Sequence, residues 1–375
     1  MSQSPIHIFA SLLAGMCLFT CDSLLAESYT IKTVAGSGAG ENNGDEGPAL
    51  KTNINQTFGV EVGPDGAIYI TEVGHHRVRR LDAKSGMLST VAGTGEKGYS
   101  GDGGKATAAA MNEPYEVRFD KGGNMYVVEM QNHIVRRMDA KTNKITTIAG
   151  TGKAGYGGDG GPATGAQFHR PHSIALSADA DSDSGYLYIA DIGNHRIRRV
   201  NLKTGIVESI AGDGNKKLPI AGEAASGNPV VGPRALFVDG DTLWVALREG
   251  HSIWKIDLND GTWQHVAGTG KKGFTGDGGP AKAATFNGPK GIAVGPAGHV
   301  YVVDTENQAI RKINTKTNTI STIAGYGPSA RGFGGDGADA TKAKLDRPHG
   351  NCVDAQGNVY IGDTNNHRVR VISPP

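Results

Sequence analysis

Six positions in this chain carry residue types from which a binding or catalytic site is built: Phe58, Tyr115, His172, Arg234, Lys290 and His349. Each of the last five directly follows a proline, and Phe58 follows Thr57. An imidazole serves as a general base near neutral pH, and a phenol as an acid. A guanidinium or an ammonium holds a carboxylate, a phosphate or a developing oxyanion. The next residues along are Gly59, Glu116, Ser173, Ala235, Gly291 and Gly350, so the neighbourhood is small apart from one carboxylate. The candidate catalytic groups are therefore His172, His349, Tyr115 and Glu116. The candidate ligand contacts are Arg234, Lys290, Phe58 and Ser173.

These residues matter together only if the chain brings them together, and its repeats predict that it does. A Val/Ile-Ala-Gly tripeptide ends at Gly36, Gly93, Gly150, Gly212, Gly268 and Gly325, with spacings of 57, 57, 62, 56 and 57. Each unit holds four short β-branched or aromatic runs bounded by Gly, Asn or Asp, as in Pro171–Leu176, Leu187–Asp191, Arg196–Val200 and Ile145–Ala149. Four strands per unit at that period predict an all-β, six-bladed β-propeller with antiparallel blades. The last unit lacks its Thr-rich fourth strand, and a strand of that type stands alone at Tyr29–Ala35. The amino-terminal strand is expected to complete the last blade and close the ring, which leaves no open sheet edge. A solenoid would need capping repeats instead. In a closed ring, the six positions above begin the inner strands at one mouth of the central channel. His172 and His349, three blades apart, are expected to face each other across it.

Leu187-Tyr188-Ile189-Ala190-Asp191 followed by Asn194-His195-Arg196-Ile197-Arg198 resembles an NHL repeat, and the resemblance extends over residues 27–375. It implies the propeller fold and leaves the function open, since such propellers include both binding scaffolds and enzymes. The fourth unit departs from the pattern, with Leu247-Arg248-Glu249-Gly250-His251 in place of the Asp and the Asn. The Pro171–Leu176 and Pro348-His349 segments are similar to metal-binding segments of the propeller-type amidating lyases. The alternate-blade sets here are Tyr115, Arg234, His349 and Phe58, His172, Lys290, and neither supplies the roughly three or four protein ligands of a zinc site. The gluconolactonase-type propellers hold a divalent metal with Glu, Asn and Asp, of which only Glu116 has a counterpart here. The cofactor stays unknown at this level, with a divalent Ca or Zn ion left open.

Other repeated residues read as architecture. Asp191, Asp304 and Asp363, with Glu72 and Glu129 in the same place, are expected to pair with the arginine five residues on, such as Arg77, Arg196 or Arg368. His76, His133, His195, His251 and His367 share one turn position and read as turn packing. Between blades, Gly-Asp-Gly-Gly recurs around Asp102, Asp159 and Asp277, and in shortened form at Asp336, each three residues after Tyr99, Tyr156, Phe274 or Phe333. These loops are expected to pack on themselves and lead into a short Ala-rich helical turn. One carboxylate per loop falls short of the roughly six to eight oxygen ligands of Ca²⁺.

Composition agrees with a turn-rich β protein, since 57 glycines in 375 residues are about 15%. Thirty-eight basic and thirty-seven acidic residues balance, so nothing in bulk charge draws the chain to nucleic acid, which is excluded as a partner. Residues 1–26 read as a signal peptide with an apolar core from Ile8 to Phe19 and cleavage after Ala26, giving an exported, periplasmic or secreted protein without a membrane span. Leu18-Phe19-Thr20-Cys21 resembles a lipoprotein box without its usual small residue before the cysteine, which disfavours a lipid anchor at Cys21. Cys352 would then be alone in the mature chain, so no internal disulfide is expected. Two readings remain: a monomeric recognition module for a small molecule, glycan or protein, or a hydrolase or lyase at the channel mouth.

Overall fold

The computed structural model describes Met1, residues 28–177 and residues 185–375. The expected signal peptide, with Cys17 and Cys21, lies outside the described residues. The rest is a six-bladed propeller, each blade built on four antiparallel strands. Blade 3 shows the pattern: Ser173–Leu176 innermost, then Tyr186–Asp191, Arg196–Asn201 and Val207–Ala211. Blade 1 carries one additional short strand, Glu46–Pro48, on its outer edge. Blade 6 has only three strands from the end of the chain, and Thr30–Ala35 supplies its fourth by pairing with Arg368–Ser373. The inner strands touch in the cyclic order 1-2-3-4-5-6-1, so the ring is closed.

The core lies between blades. The second strands, such as Ile68–Glu72, Met125–Glu129 and Val300–Asp304, are buried along their whole length. That is why they read as unbroken apolar runs, where a half-solvated strand would alternate. One such layer joins Val128 and Val135 of blade 2 to Phe168, Ile174, Leu187 and Ile189 of blade 3.

In five of the six blades the second strand ends in a carboxylate that organises the following turn. Asp191 accepts the His169 backbone N–H at 2.7 Å and Asn194 Nδ2 at 2.8 Å, and Arg198 lies 3.5 Å away. The arginine expected to pair with it, Arg196, stands opposite in register. Its guanidinium instead donates to the carbonyls of Asn194 and Asp213 and stacks on Tyr156 at 3.8 Å. Arg368 likewise donates to Asn366 and Ser37 and stacks on Phe333. Only Glu72 and Arg77 pair as expected, at 2.6 Å. The arginine that meets the acid is thus the one seven residues on: Arg79, Arg136, Arg198, Arg311 or Arg370, each fully buried.

The same arginines receive the inter-blade loops. Asp102, Asp159, Asp277 and Asp336 reach Arg136, Arg198, Arg311 and Arg370 at 2.5–2.8 Å. A loop aspartate engaged in this way serves the blade and is not free for a cation. The expected short turns follow at Ala106–Ala108, Ala163–Gly165, Ala281–Ala283 and Ala340–Lys342. Blade 4 drops the whole network at once. Leu247 stands for the acid and Trp254 for the arginine, both buried, and Trp254 Nε1 donates to Ser252 Oγ at 2.9 Å.

The repeated histidines join blades. Each has a left-handed backbone, with φ between 43° and 57°. Each accepts through Nδ1 a backbone N–H from the next blade: His76 from Glu113, His133 from Arg170, His195 from Gly232, His251 from Gly288 and His367 from Gln56. In blade 5 the position is Gln308, whose Oε1 accepts the Arg347 N–H at 2.6 Å.

Candidate functional site at the channel mouth

The residue whose N–H is clasped in this way turns the chain into the inner strand, and it too has positive φ. Blades 4 and 5 use Gly232 and Gly288 there, at no steric cost. The other four blades hold Gln56, Glu113, Arg170 and Arg347 in a conformation that non-glycine residues seldom adopt. Three of those side chains, Gln56, Arg170 and Arg347, line the channel mouth. Residues held in strained backbone cluster at functional sites, and here the strain aims side chains into one cavity.

The next step is a β-bulge. In blade 2, Pro114 pairs with Glu129 and Glu116 with Val128, which leaves Tyr115 as the extra residue. Arg234 and Lys290 are skipped in the same way in blades 4 and 5. A bulge takes its residue out of the strand's alternation and re-aims the side chain. The small residues that follow have a steric reason. A Cβ on Gly350 would sit 2.3 Å from the Phe58 carbonyl oxygen, and one on Gly291 would sit 2.5 Å from that of His349.

All six positions singled out from the repeats, Phe58, Tyr115, His172, Arg234, Lys290 and His349, line one cavity of about 220 Å³. Half of its wall is a chain of rings. His349 stacks on Phe58 at 3.9 Å, Phe58 meets Tyr115 at 4.6 Å, and Tyr115 meets His172 edge-on at 4.7 Å. The other half is cationic. Arg234 and Lys290 are buried, and Arg170, Arg248 and Arg347 surround them. Two carboxylates pair with three of these five cations, and the Glu116 charge acts on Arg234 from the wall without a salt bridge to it. Glu306 pairs with Lys290 at 2.8 Å and with Arg347 at 2.9 Å, and Glu249 pairs with Arg248. Arg234 forms no salt bridge among the described residues. Its Nη1 is buried without a hydrogen-bond partner, and its guanidinium lies 5.2 Å from the Tyr115 ring centre.

Burial and the crowd of cations set the protonation states. Burial lowers the Arg234 guanidinium to about 10 and the Lys290 ammonium to about 8, the latter against the pull of Glu306. Burial and then the Arg234 charge hold His172 well below its ordinary value. Burial, Lys290 and Arg234 do the same to His349. Both imidazoles are therefore neutral. His172 Nδ1–H donates to the Arg170 carbonyl at 2.6 Å, and His349 Nδ1–H to that of Arg347 at 2.8 Å. This leaves Nε2 of each ring as the basic nitrogen. Burial raises the Tyr115 phenol, which stays protonated.

Two of the expected site residues are elsewhere. Glu116 and Ser173 sit one step along the inner strands and form no part of the mouth lining. Ser173 Oγ donates to Glu116 at 2.7 Å and accepts the Leu236 N–H at 2.9 Å, tying blades 2, 3 and 4. Glu116 also receives the Ile174 N–H and lies 3.3 Å from Arg118. The strand ladder explains the difference: Glu116 and Ser173 are paired within it and buried between blades, whereas Tyr115 is bulged out of it and His172 precedes it. Sequence reasoning missed Arg170, Arg248, Arg347 and Glu306. The repeated Arg-Pro-His at residues 170–172 and 347–349 was the available signal for two of them.

The mouth does not suit a divalent cation. Among the described residues no group of three or more His, Cys, Asp or Glu is placed to hold a metal. Two histidines beside Arg234 and Lys290 would put a further cation next to unneutralised positive charge. Among the described residues no helix is long and apolar enough to cross a membrane.

Comparison with known proteins agrees with the architecture. A family model described as NHL repeat matches residues 345–372, and one described as teneurin NHL domain matches residues 249–332. NHL repeat-containing protein 2 of Gallus gallus is 27% identical over 331 residues, covering 81% of this chain and 44% of that protein. The chain thus spans less than half the length of this relative. Among solved structures, an auxiliary nutrient binding protein from Bacteroides thetaiotaomicron superposes with a TM-score of 0.67 at 16% identity, covering 93% of this chain and 77% of that one. A gluconolactonase from Xanthomonas campestris superposes with a TM-score of 0.58 at 12% identity, covering 94% and 93%. At such identities the structural likeness speaks for the fold alone.

Proposed function

The chain belongs to the NHL-repeat propellers, and from that premise we propose that it is a recognition module whose channel mouth binds the anionic group of a small molecule or glycan. One observation carries this reading: the buried Arg234 Nη1 has no partner, in a cavity lined by five cations of which only three are ion-paired among the described residues. A buried unpaired cation is costly, and an anion that accepts from Arg234 and Lys290 would remove that cost. The rings of His349, Phe58 and Tyr115 offer the flat apolar faces against which a sugar or aromatic ring packs. Calorimetric titration with glucuronic or galacturonic acid, and with glucose as the neutral control, tests it. The acid binds and glucose does not. Arg234→Gln weakens the acid by about 10- to 100-fold, since a charge-assisted hydrogen bond is worth roughly 1.5–3 kcal/mol. Equal affinity of the wild type and Arg234→Gln would overturn the reading.

A second reading rests on the two neutral histidines. An Nε2 lone pair next to Arg234 and Lys290 could take the C–H proton α to a carboxylate whose charge those cations neutralise, while the β C–O bond breaks and its leaving oxygen takes a proton from Tyr115. That β-elimination would make the mouth a lyase. A bound acid that is recovered chemically unchanged after prolonged incubation with the protein speaks for recognition alone.

Export belongs to the same proposal. Mass spectrometry of the protein isolated from its host should find Glu27 at the amino terminus, and a retained residue 1–26 segment would contradict it.

A further inference from the structure

The mouth cavity does not end at the inner strands. Two clefts leave it over blade 4, and both share Arg248 with it. One runs between blades 3 and 4, has a volume of about 380 Å³, and contains Arg170, His172, Lys216, Arg248 and Glu249. The other runs between blades 4 and 5, has a volume of about 410 Å³, and contains Arg248, Lys290, Arg347, Glu249 and Glu306. Their charges differ. In the second cleft all three cations are ion-paired: Lys290 and Arg347 share Glu306, and Arg248 pairs with Glu249. In the first cleft Glu249 alone opposes Arg170, Lys216 and Arg248. No salt bridge engages Arg170 or Lys216 among the described residues. The wall there also has Ile192, Gly193 and Val231, which leave an apolar strip beside the charges.

Resting on the anion-binding reading above, we propose that the ligand is a linear acidic oligosaccharide: one carboxylate sits against Arg234 and Lys290, and the chain continues through the blade 3–blade 4 cleft, where Lys216 and Arg170 meet the acid of a following sugar. The direction follows from charge, since this cleft sets three cations against one carboxylate where the other sets three against two, and only here do two cations lack a salt bridge among the described residues. The class follows from the lining. Ring faces at the mouth and an apolar strip in the cleft suit sugar rings. A peptide would bring backbone N–H and C=O groups that need partners, and these clefts present side chains in place of a free strand edge. A nucleic acid would draw on a wider positive field than a chain of net charge +1 provides. Blade 4 is where the repeat is most altered, and Arg248 and Glu249, the two residues dividing the clefts, occupy its altered turn.

The test compares galacturonic acid with its trimer and pentamer by calorimetry, using the whole protein. The trimer is expected to bind roughly tenfold or more tightly than the monomer, because it adds charge-assisted contacts. Lys216 is exposed on a loop, so Lys216→Gln leaves the fold intact. It should abolish most of the trimer's gain and keep the monomer's affinity. Equal binding of monomer and trimer, or an undiminished gain in Lys216→Gln, overturns the extended ligand while the anion site stands. Binding of none of the acids overturns the underlying reading as well. A larger length-dependent gain with oligoglutamate or oligothymidylate than with oligogalacturonate overturns the assignment of class.

Discussion

Lys290 makes anion binding a function of pH. Burial, with help from the Arg347 and Arg234 charges, holds its ammonium at about 8 against the opposing pull of Glu306. A bound anion favours the protonated form, so binding and protonation reinforce each other. Affinity for a uronic acid should hold up at pH 6–7 and fall as the pH rises through about 8, and Lys290→Met should remove this fall. A flat profile in the wild type between pH 7 and 9.5 would remove Lys290 from the site. The same residue shows how much could be read in advance. The six mouth positions were legible because repeats that agree along most of their length disagree there. The rim cations were not, since Arg170 and Arg347 gain access to the mouth through left-handed turns, and a proline that follows does not announce positive φ. Glu116 and Ser173 look equivalent to their neighbours in sequence, and only the strand ladder, which takes in these two and leaves out Tyr115 and His172, separates wall from mouth.

At the scale of the element, the blade's polar interior behaves as one unit. Asp363 illustrates it: burial raises its carboxyl to about 6, while the Asp346 N–H, Asn366 Nδ2 and Arg370 draw it back. Blade 4 replaces acid and arginine together with Leu247 and Trp254. Exchanging a buried ion pair for apolar residues is often neutral, whereas removing one partner costs about 3–5 kcal/mol. Leu247→Asp and Trp254→Arg should each lower stability by that order in urea unfolding. The double variant should lose at least about 1 kcal/mol less than the sum of the two. Strict additivity would mean that the two positions are not coupled. Which arginine meets the acid was beyond the sequence, because Arg196 and Arg198 lie on the same strand face two residues apart.

At the scale of the whole molecule, the histidine clasps tie the ring's stability to acid. A ring nitrogen that accepts an N–H must be unprotonated, and burial lowers His76, His133, His195, His251 and His367 below 6.5. Nearby cations add to this: Lys97 at His76, Arg170 at His133, Lys216, Arg248 and Arg196 at His195, Lys272 at His251 and Arg368 at His367. Glu96, Glu249, Glu41 and Glu72 oppose it, and His75 and His169 face His76 and His133. A lowered folded pKa means that the contribution is intact above about 6.5 and is lost as the pH falls through the folded values. The buried carboxylates of Glu129, Asp191, Asp304 and Asp363, raised in the fold, work in the opposite direction, so the informative measurement is a difference. His133→Gln, which copies the natural Gln308, should match the wild type near pH 7.5. It should be more stable than the wild type at pH 5 by up to about 1 kcal/mol. Identical acid sensitivity in the two proteins would show that the clasp does not titrate.

The strand that completes blade 6 also sets a clock. Arg368 Nη2 donates to the carbonyl of Ser37, 331 residues earlier in the chain. At roughly 5–20 residues per second of synthesis, Thr30–Ala35 leaves the ribosome on the order of half a minute before the segment it must pair with exists. Blades 1 to 5 can form as they emerge. The ring itself locks only after Arg368–Ser373 is made, so the Thr30–Ala35 strand spends that interval as an unpaired edge.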